Sequence, residues 1–199
     1  MKSFGTLGVV IAILAVLLIA GCGSYNGFVD AEENLEKTWA DVETQYQRRA
    51  DLIPNLVSTV KANADFERGT LESVTNARAR ATSINIDADD LDPAKLEQYQ
   101  AAQDELSRGL GRLLATAENY PNLTATQGFR DLQAQLEGTE NRISVARSRF
   151  NEVATVFNKK VRRFPGAVFA TVFGFDEKPL FKSDPGSQNA PNVGDQFNS

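Results

Sequence analysis

The chain has 199 residues, enough for one domain plus termini, and a formal net charge of −5, which argues against nucleic acid as a partner and against broad adhesion to anionic lipid. It holds no histidine and one cysteine. That removes His/Cys metal sites, a Ser-His-Asp triad and a Cys-His pair together, so no metal, no cofactor and no catalytic set is expected.

Residues 4–20 are almost wholly apolar behind Lys2, and they end in Ile19-Ala20-Gly21-Cys22. A basic start, an apolar run and small residues before a break describe an export signal. The only cysteine stands where a bacterial lipobox would place it, which makes Cys22 the candidate for lipid attachment and for the new N-terminus after cleavage. The alternative is an uncleaved anchor, short beside the ~20 residues that typically span a bilayer. Lys2 precedes the segment while Asp30, Glu32, Glu33 and Glu36 follow it, so the positive-inside rule carries the domain across the membrane in either case. Residues 1–22 are therefore read as a lipoprotein-type signal or a membrane anchor, the cleaved lipoprotein being preferred.

Ser24–Phe28 reads as a short tether, and Asp30 with Glu33 as a weak capping box that opens the first helix. Stepping alternately by four and three residues visits Leu35, Trp39, Val42, Tyr46, Arg49, Ile53, Leu56 and Val60. This is the spacing of a helix laid along a bundle seam. Arg49 occupies a core position. Either it snorkels outward or pairs with a carboxylate on a neighbouring helix, or it belongs to a site for an acidic or phosphate group. Pro54 removes one backbone hydrogen bond, yet the seam keeps its phase through it, which predicts a kinked but continuous helix to about Ala64.

A second helix is expected over Asp65–Ser83, with Leu71, Val74, Arg78 and Ala81 on one face; the pattern leaves open whether a turn near 63–66 separates it from the first. Ile84–Leu91 is acidic and aperiodic, without the glycine and closing glutamate that a calcium loop needs. Asp92-Pro93 supplies an N-cap and a proline at the first helical position. The third helix follows with Leu96, Tyr99, Gln103, Leu106, Leu110, Leu113, Ala117 and Tyr120, and Gly109 and Gly111 mark close helix approach or a soft spot. Thr124 and Gln127 are expected to cap a fourth helix whose seam is Leu132, Leu136, Thr139, Ile143, Ala146, Phe150, Val153 and Phe157, with packing continuing through Val161 and Phe164. Glu140 flanks that seam and is the expected mate of Arg49. Lys159, Lys160, Arg162 and Arg163 crowd its last turns, complementing the helix end or meeting lipid phosphates. Residues 167–175 are too apolar for a loose tail, and either pack across the bundle end or meet a membrane or partner. Residues 183–199 are polar and rich in Pro, Gly and Asn, hence expected to be disordered.

The fold class is therefore all-α: a long antiparallel up-and-down bundle of four helices, or three with a bend, over residues 23–182 behind an N-terminal membrane segment. Arg48, Arg49, Asn55, Glu140, Asn141 and Arg142 are expected to form a structural or partner-binding polar girdle near mid-bundle. With YQRRADLIPNLV, AENYPNL, LQAQLEGTENRI and FPGAVFATVFGF falling in that order, the chain resembles the LemA family over residues 25–181. The resemblance implies an up-and-down bundle behind a membrane segment and no catalytic residues to carry over. The family's genes often lie near membrane metalloproteases and TPM-domain proteins, which points to envelope quality control. Many members keep the N-terminal segment as an uncleaved helix, and the Cys22 box departs from that pattern. The expected role is a membrane-tethered, extracytoplasmic (periplasmic in a Gram-negative cell) interaction or scaffold protein. Its expected partners are membrane lipid through the N-terminal segment and an envelope protein. Two other readings stand beside it: lipid binding or membrane sensing through the Lys159–Phe175 end, and a cell-wall hydrolase whose two carboxylates would have to face each other across a cleft.

Overall fold

The structure is a computed structural model that describes residues 2–62 and 66–182, with the backbone alone described for residues 2–7, 13, 14 and 17. Part of the expected signal or anchor and the whole expected disordered tail lie outside the described residues, as do residues 63–65 of the first inter-helix turn. Six α-helices appear among the described residues: α1 (Lys2–Lys61), α2 (Arg68–Ser83), α3 (Pro93–Ala117), α4 (Pro121–Thr124), α5 (Gln127–Arg162) and α6 (Gly166–Phe173). A turn of 3-10 helix, Ala88–Asp90, lies between α2 and α3. No described strand interrupts them. Among the described residues no helix is long and apolar enough to cross a membrane.

The four long helices run up and down. Gly27 and Arg49 of α1 meet Lys160 and Glu140 of α5, and Val74 and Ala81 of α2 meet Gly109 and Gln103 of α3, so each pair is antiparallel. The apolar seam of α1 explains its place at the centre: Leu35, Trp39, Val42, Tyr46, Ile53, Leu56 and Val60 are all buried. The core divides in two along the bundle. One part gathers Ile53, Leu56, Val60, Val74, Leu106, Leu113, Phe129 and Leu136 at the α1–α2 turn end. The other gathers Leu35, Trp39, Tyr46, Leu96, Tyr99, Ile143, Phe150 and Phe157 towards the chain's N-terminal end. Arg49 sits between them.

Several boundaries differ from the sequence expectation. α1 is already helical through Ser24–Phe28 and through Asp30, so neither the tether nor the capping box exists as such. Gly23 and Gly27 each weaken the helix by up to ~1 kcal/mol relative to alanine, but Phe28 is buried and stacks on Phe175 at 4.9 Å, which holds the stretch in register. A turn separates the first two helices; α1 ends at Lys61 and α2 begins at Arg68, not at Asp65. Pro54 lies inside continuous α1. It leaves the Ala50 carbonyl without its helical donor, and Arg78 Nε of α2 donates to that oxygen at 2.7 Å. Asp92 caps α3 by accepting from the Ala94 and Lys95 amides at 2.8 and 2.9 Å.

Thr124 does not open the fourth long helix. Pro121 starts the single turn α4, which uses Thr124 as its last residue, and Thr126 becomes the N-cap of α5, accepting from Phe129 N. Gly109 lies against Val74 at ordinary contact distance and Gly111 faces open space, so close helix approach requires neither. Phe164 leaves the core altogether, at 86% exposure, because the chain turns at Phe164-Pro165 into α6. Gly166 makes that turn: a Cβ there would stand 2.5 Å from the Lys160 carbonyl oxygen. Gly174 ends α6 in the left-handed region at φ 80°, donating to Ala170 O at 2.8 Å.

After α6 the chain runs back along the bundle as an extended strap, residues 175–182. Phe181 is buried, stacked on Trp39 and edge-on to Phe150. Side-chain amides grip the strap's backbone. Asn158 donates to Lys178 O and accepts from Lys178 N, both at 2.8 Å. Asn151 does the same for Phe181, and Gln100 for Lys182. Each amide thus imitates one rung of a β-ladder.

Candidate functional site

Arg49 is 1% exposed, and a guanidinium at that depth must be met by acceptors or it destabilises the fold. Nη1 donates to Glu140 Oε1 at 2.8 Å and to Ser107 Oγ at 2.5 Å. Nη2 donates to the side-chain oxygen of Gln103 at 2.6 Å and to its carbonyl at 3.2 Å. The guanidinium also lies over the Tyr46 ring, 5.1 Å from its centroid. Gln103 Nε2 reaches onward to Ala81 O, so one arginine on α1 ties together α3, α5 and, through Gln103, the C-terminal turn of α2. Glu140 is 42% exposed at its side chain, which gives the charge pair one face to water.

The network is not saturated. Arg49 Nε, Tyr46 Oη and Gln45 Oε1 are buried without a hydrogen-bond partner. Burial pushes the Tyr46 phenol up to about 12, with the nearby Arg147 and Arg49 charges opposing the shift. Burial likewise raises the Tyr99 phenol, whose ring meets Tyr46 edge-on at 5.5 Å.

Of the expected girdle, the structure brings together Arg49 and Glu140 alone. Arg48, Asn55, Asn141 and Arg142 are exposed. Arg48 and Asn55 line an open groove of about 920 Å³ between α1 and the α2–α3 connection, floored by Tyr46, Tyr99 and Gln103. Asn141 and Arg142 line a separate depression of about 320 Å³ with Asp41, Gln45 and Arg149. Ser107 and Gln103, which complete the coordination of Arg49, are absent from the girdle predicted from sequence. Gln103 had a signal, a polar residue on the apolar seam of α3. Ser107 had none, since it falls beside that seam.

Two carboxylates titrate above their ordinary range. Burial raises Glu43, with Asp87 adding like-charge repulsion; burial also raises Glu36, with Asp89 adding to it. Glu43 lines the groove and Glu36 does not, so the two do not face each other across one cleft. Among the described residues no group of three or more His, Cys, Asp or Glu side chains is arranged to hold a metal ion. Cys22 is a free, exposed thiol on α1.

The end of the bundle near Cys22 forms a third feature. α6 packs one side against α1: Phe169 faces Gly21, and Phe173 meets Tyr25 edge-on at 5.2 Å. The 167–175 stretch therefore packs across the bundle end, but Val168 and Val172 remain exposed.

A family model described as the LemA family matches residues 38–194. The chain is also similar to magnetosome protein MamQ 2 of Paramagnetospirillum magneticum, 25% identical over 197 residues, covering 88% of this chain and 70% of that protein. It is 24% identical over 192 residues to magnetosome protein MamQ of Magnetospirillum gryphiswaldense, covering 88% of this chain and 69% of that one. Protein LemA of Metamycoplasma hominis is 21% identical over 154 residues, 77% of this chain and 67% of its own length.

Proposed function

The chain belongs to the LemA family, and on that premise we propose that it is a membrane-tethered helical scaffold that presents its bundle outside the cytoplasm and performs no catalysis. The observation that carries this reading is the continuity of α1. Val9, Val10, Ile11, Val16, Leu18 and Ile19 are exposed on the same helix whose next turns form the buried seam from Leu35 to Val60. Apolar side chains left in water along several turns call for a partner phase, and the apolar run of residues 4–20 matches a bilayer or an export signal. Charge on either side of that run orients the domain outward. Cys22 stands exposed where the run ends, open to acylation in the lipoprotein form.

For the scaffold part, the support is the groove beside Arg48 and Asn55 and the depression beside Asn141 and Arg142. Both are polar-rimmed surfaces on a bundle whose interior is fixed by the Arg49 network. They suit an envelope protein partner better than a buried small molecule.

The test is to tag the C-terminus, fractionate cells, and cross-link and co-purify the full chain beside Cys22→Ala. The expected result is a membrane-associated protein that resists a high-salt wash and brings down a stoichiometric partner. In the membrane-bound wild type, a mature chain that begins at an acylated Cys22 identifies the lipoprotein form, and a chain that keeps residues 1–21 identifies the uncleaved helix. A full-length chain recovered in the soluble fraction overturns the tether. Failure to capture any partner from the membrane overturns the scaffold.

A further inference from the structure

The turn from α5 into α6 lies beside α1 at the level where the apolar run of α1 gives way to polar sequence. Phe169 touches Gly21, Tyr25 touches Phe173, and Lys160 Nζ donates to the Gly27 carbonyl at 2.8 Å. Whichever way the chain is anchored, by an acyl group on Cys22 or by the helix before it, residues 21–25 mark the membrane surface. α6 is therefore held at that surface.

Its outward side suits the place. Val168 and Val172, 55% and 71% exposed and four residues apart on α6, form one apolar stripe, and Phe164, 86% exposed, stands in the turn that leads into it. Lys159 and Arg163 are exposed and make no ion pair among the described residues. Arg163 and Lys160 line a small cleft of about 310 Å³ with Gly23, Ser24, Phe28 and Phe164. Basic side chains beside an apolar stripe are the arrangement of an interfacial membrane-binding surface, and they stand out on a chain of net charge −5.

We propose that this end of the bundle docks onto an anionic bilayer surface. Phe164, Val168 and Val172 enter the headgroup boundary while Arg163 and Lys159 meet lipid phosphates. The inference rests on the membrane-tether reading and deepens it: the bundle is held close to the bilayer in one orientation instead of swinging on a tether. The net charge of −5 argues against broad adhesion, so docking is confined to this end, where Lys159, Lys160, Arg162 and Arg163 cluster and Glu177 lies 3.6 Å from Arg162.

The experiment places a reporter on the stripe with Val172→Trp in the full chain. Trp39 is 2% exposed and about 20 Å farther along α1 than Tyr25, so it contributes a constant background. The protein is reconstituted with vesicles of phosphatidylcholine alone or mixed with phosphatidylglycerol, both carrying brominated acyl chains. Flotation reads the tether, and quenching of the indole at position 172 reads docking. The expected result is flotation with both vesicles and quenching at least about twofold greater with the anionic ones. Lys159→Glu with Arg163→Glu on the same background should float equally, keep its helical circular dichroism, and lose the extra quenching. Flotation with no quenching above that of the unsubstituted chain overturns docking and leaves the tether standing. Equal quenching in both vesicles overturns the role given to the charges. No flotation with either overturns both readings.

Discussion

A single buried arginine sets the character of the mid-bundle. Arg49 was legible in the sequence because it interrupts an otherwise apolar seam, and its mate Glu140 because it flanks the seam of the helix that must face it. Its acceptors on α3 were less legible, since nothing in the spacing distinguishes Ser107 from a solvated serine. Breaking a buried pair typically costs ~3–5 kcal/mol. Here the half-exposed Glu140 can rehydrate, so Arg49→Leu should destabilise by about 2–4 kcal/mol, read as a lower urea midpoint. Glu140→Leu added to Arg49→Leu should cost less than the sum of the two single changes. Additivity within about 0.5 kcal/mol would deny the coupling. Tyr46 makes the opposite case. Its buried hydroxyl has no partner, so Tyr46→Phe should be neutral or slightly stabilising near pH 7, with the ring still beneath Arg49. The phenol's folded value, about 12, lies above the unfolded value near 10, so the unfolded chain ionises first. The stability this neutral phenol contributes is complete below about pH 10 and is lost as pH rises towards 12. Denaturant titrations across that window should show a shallower alkaline loss in Tyr46→Phe, and identical slopes would refute it.

Among the elements, α1 shows how a local penalty is met by tertiary structure. Pro54 was visible as an irregularity, and the unbroken seam phase across it argued for one helix. What the sequence did not disclose is the donor that replaces the missing amide. Arg78 reads as a face residue of α2, and only the packing of α2 on α1 brings its Nε to Ala50 O. A hydrogen bond from a charged donor is worth about 1.5–3 kcal/mol. Arg78→Ala should cost about 1–2 kcal/mol, since the side chain is partly exposed. In a Pro54→Ala background the restored helical amide serves the same carbonyl, so the Arg78→Ala penalty should shrink by at least half. An unchanged penalty in that background would show that Arg78 acts elsewhere. The N-cap of α5 was misplaced for a related reason. Thr124 and Thr126 are both acceptable caps, and the choice falls to Pro121, whose fixed φ starts a separate turn three residues upstream of the expected cap. The helical content of Ser24–Phe28 was missed because Ser24, Asn26 and Gly27 favour turns over helix, whereas the buried ring of Phe28 holds the helix through its contact with Phe175.

At the scale of the whole molecule, the alternating seams made the up-and-down bundle readable, because each long helix declares one apolar face. The strap did not declare itself. Residues 175–182 have too few apolar positions for a periodic signal, and their backbone partners are amides on helices that look like ordinary polar positions. Yet Phe181 fills the space between Trp39 and Phe150, its backbone held by Asn151 and that of the next residue, Lys182, by Gln100. The strap thus completes the core half that lies nearest the N-terminal end of α1, where the short α2 does not reach. Its removal should weaken that half first. Phe181→Ala should cost about 3–5 kcal/mol, the usual range for a buried phenylalanine, and the Trp39 emission should shift to the red as water reaches the indole. A chain ending after Phe175 should lose at least as much, since the amide grips on Lys178 and Lys182 go with it. If Phe181→Ala leaves both the urea midpoint and the Trp39 emission unchanged, the strap is only laid against the bundle and α1, α3 and α5 close that half alone. If instead the emission shifts at denaturant concentrations below the main transition, the half around Trp39 unfolds as its own unit, and the Arg49 network is the boundary between two cooperative halves.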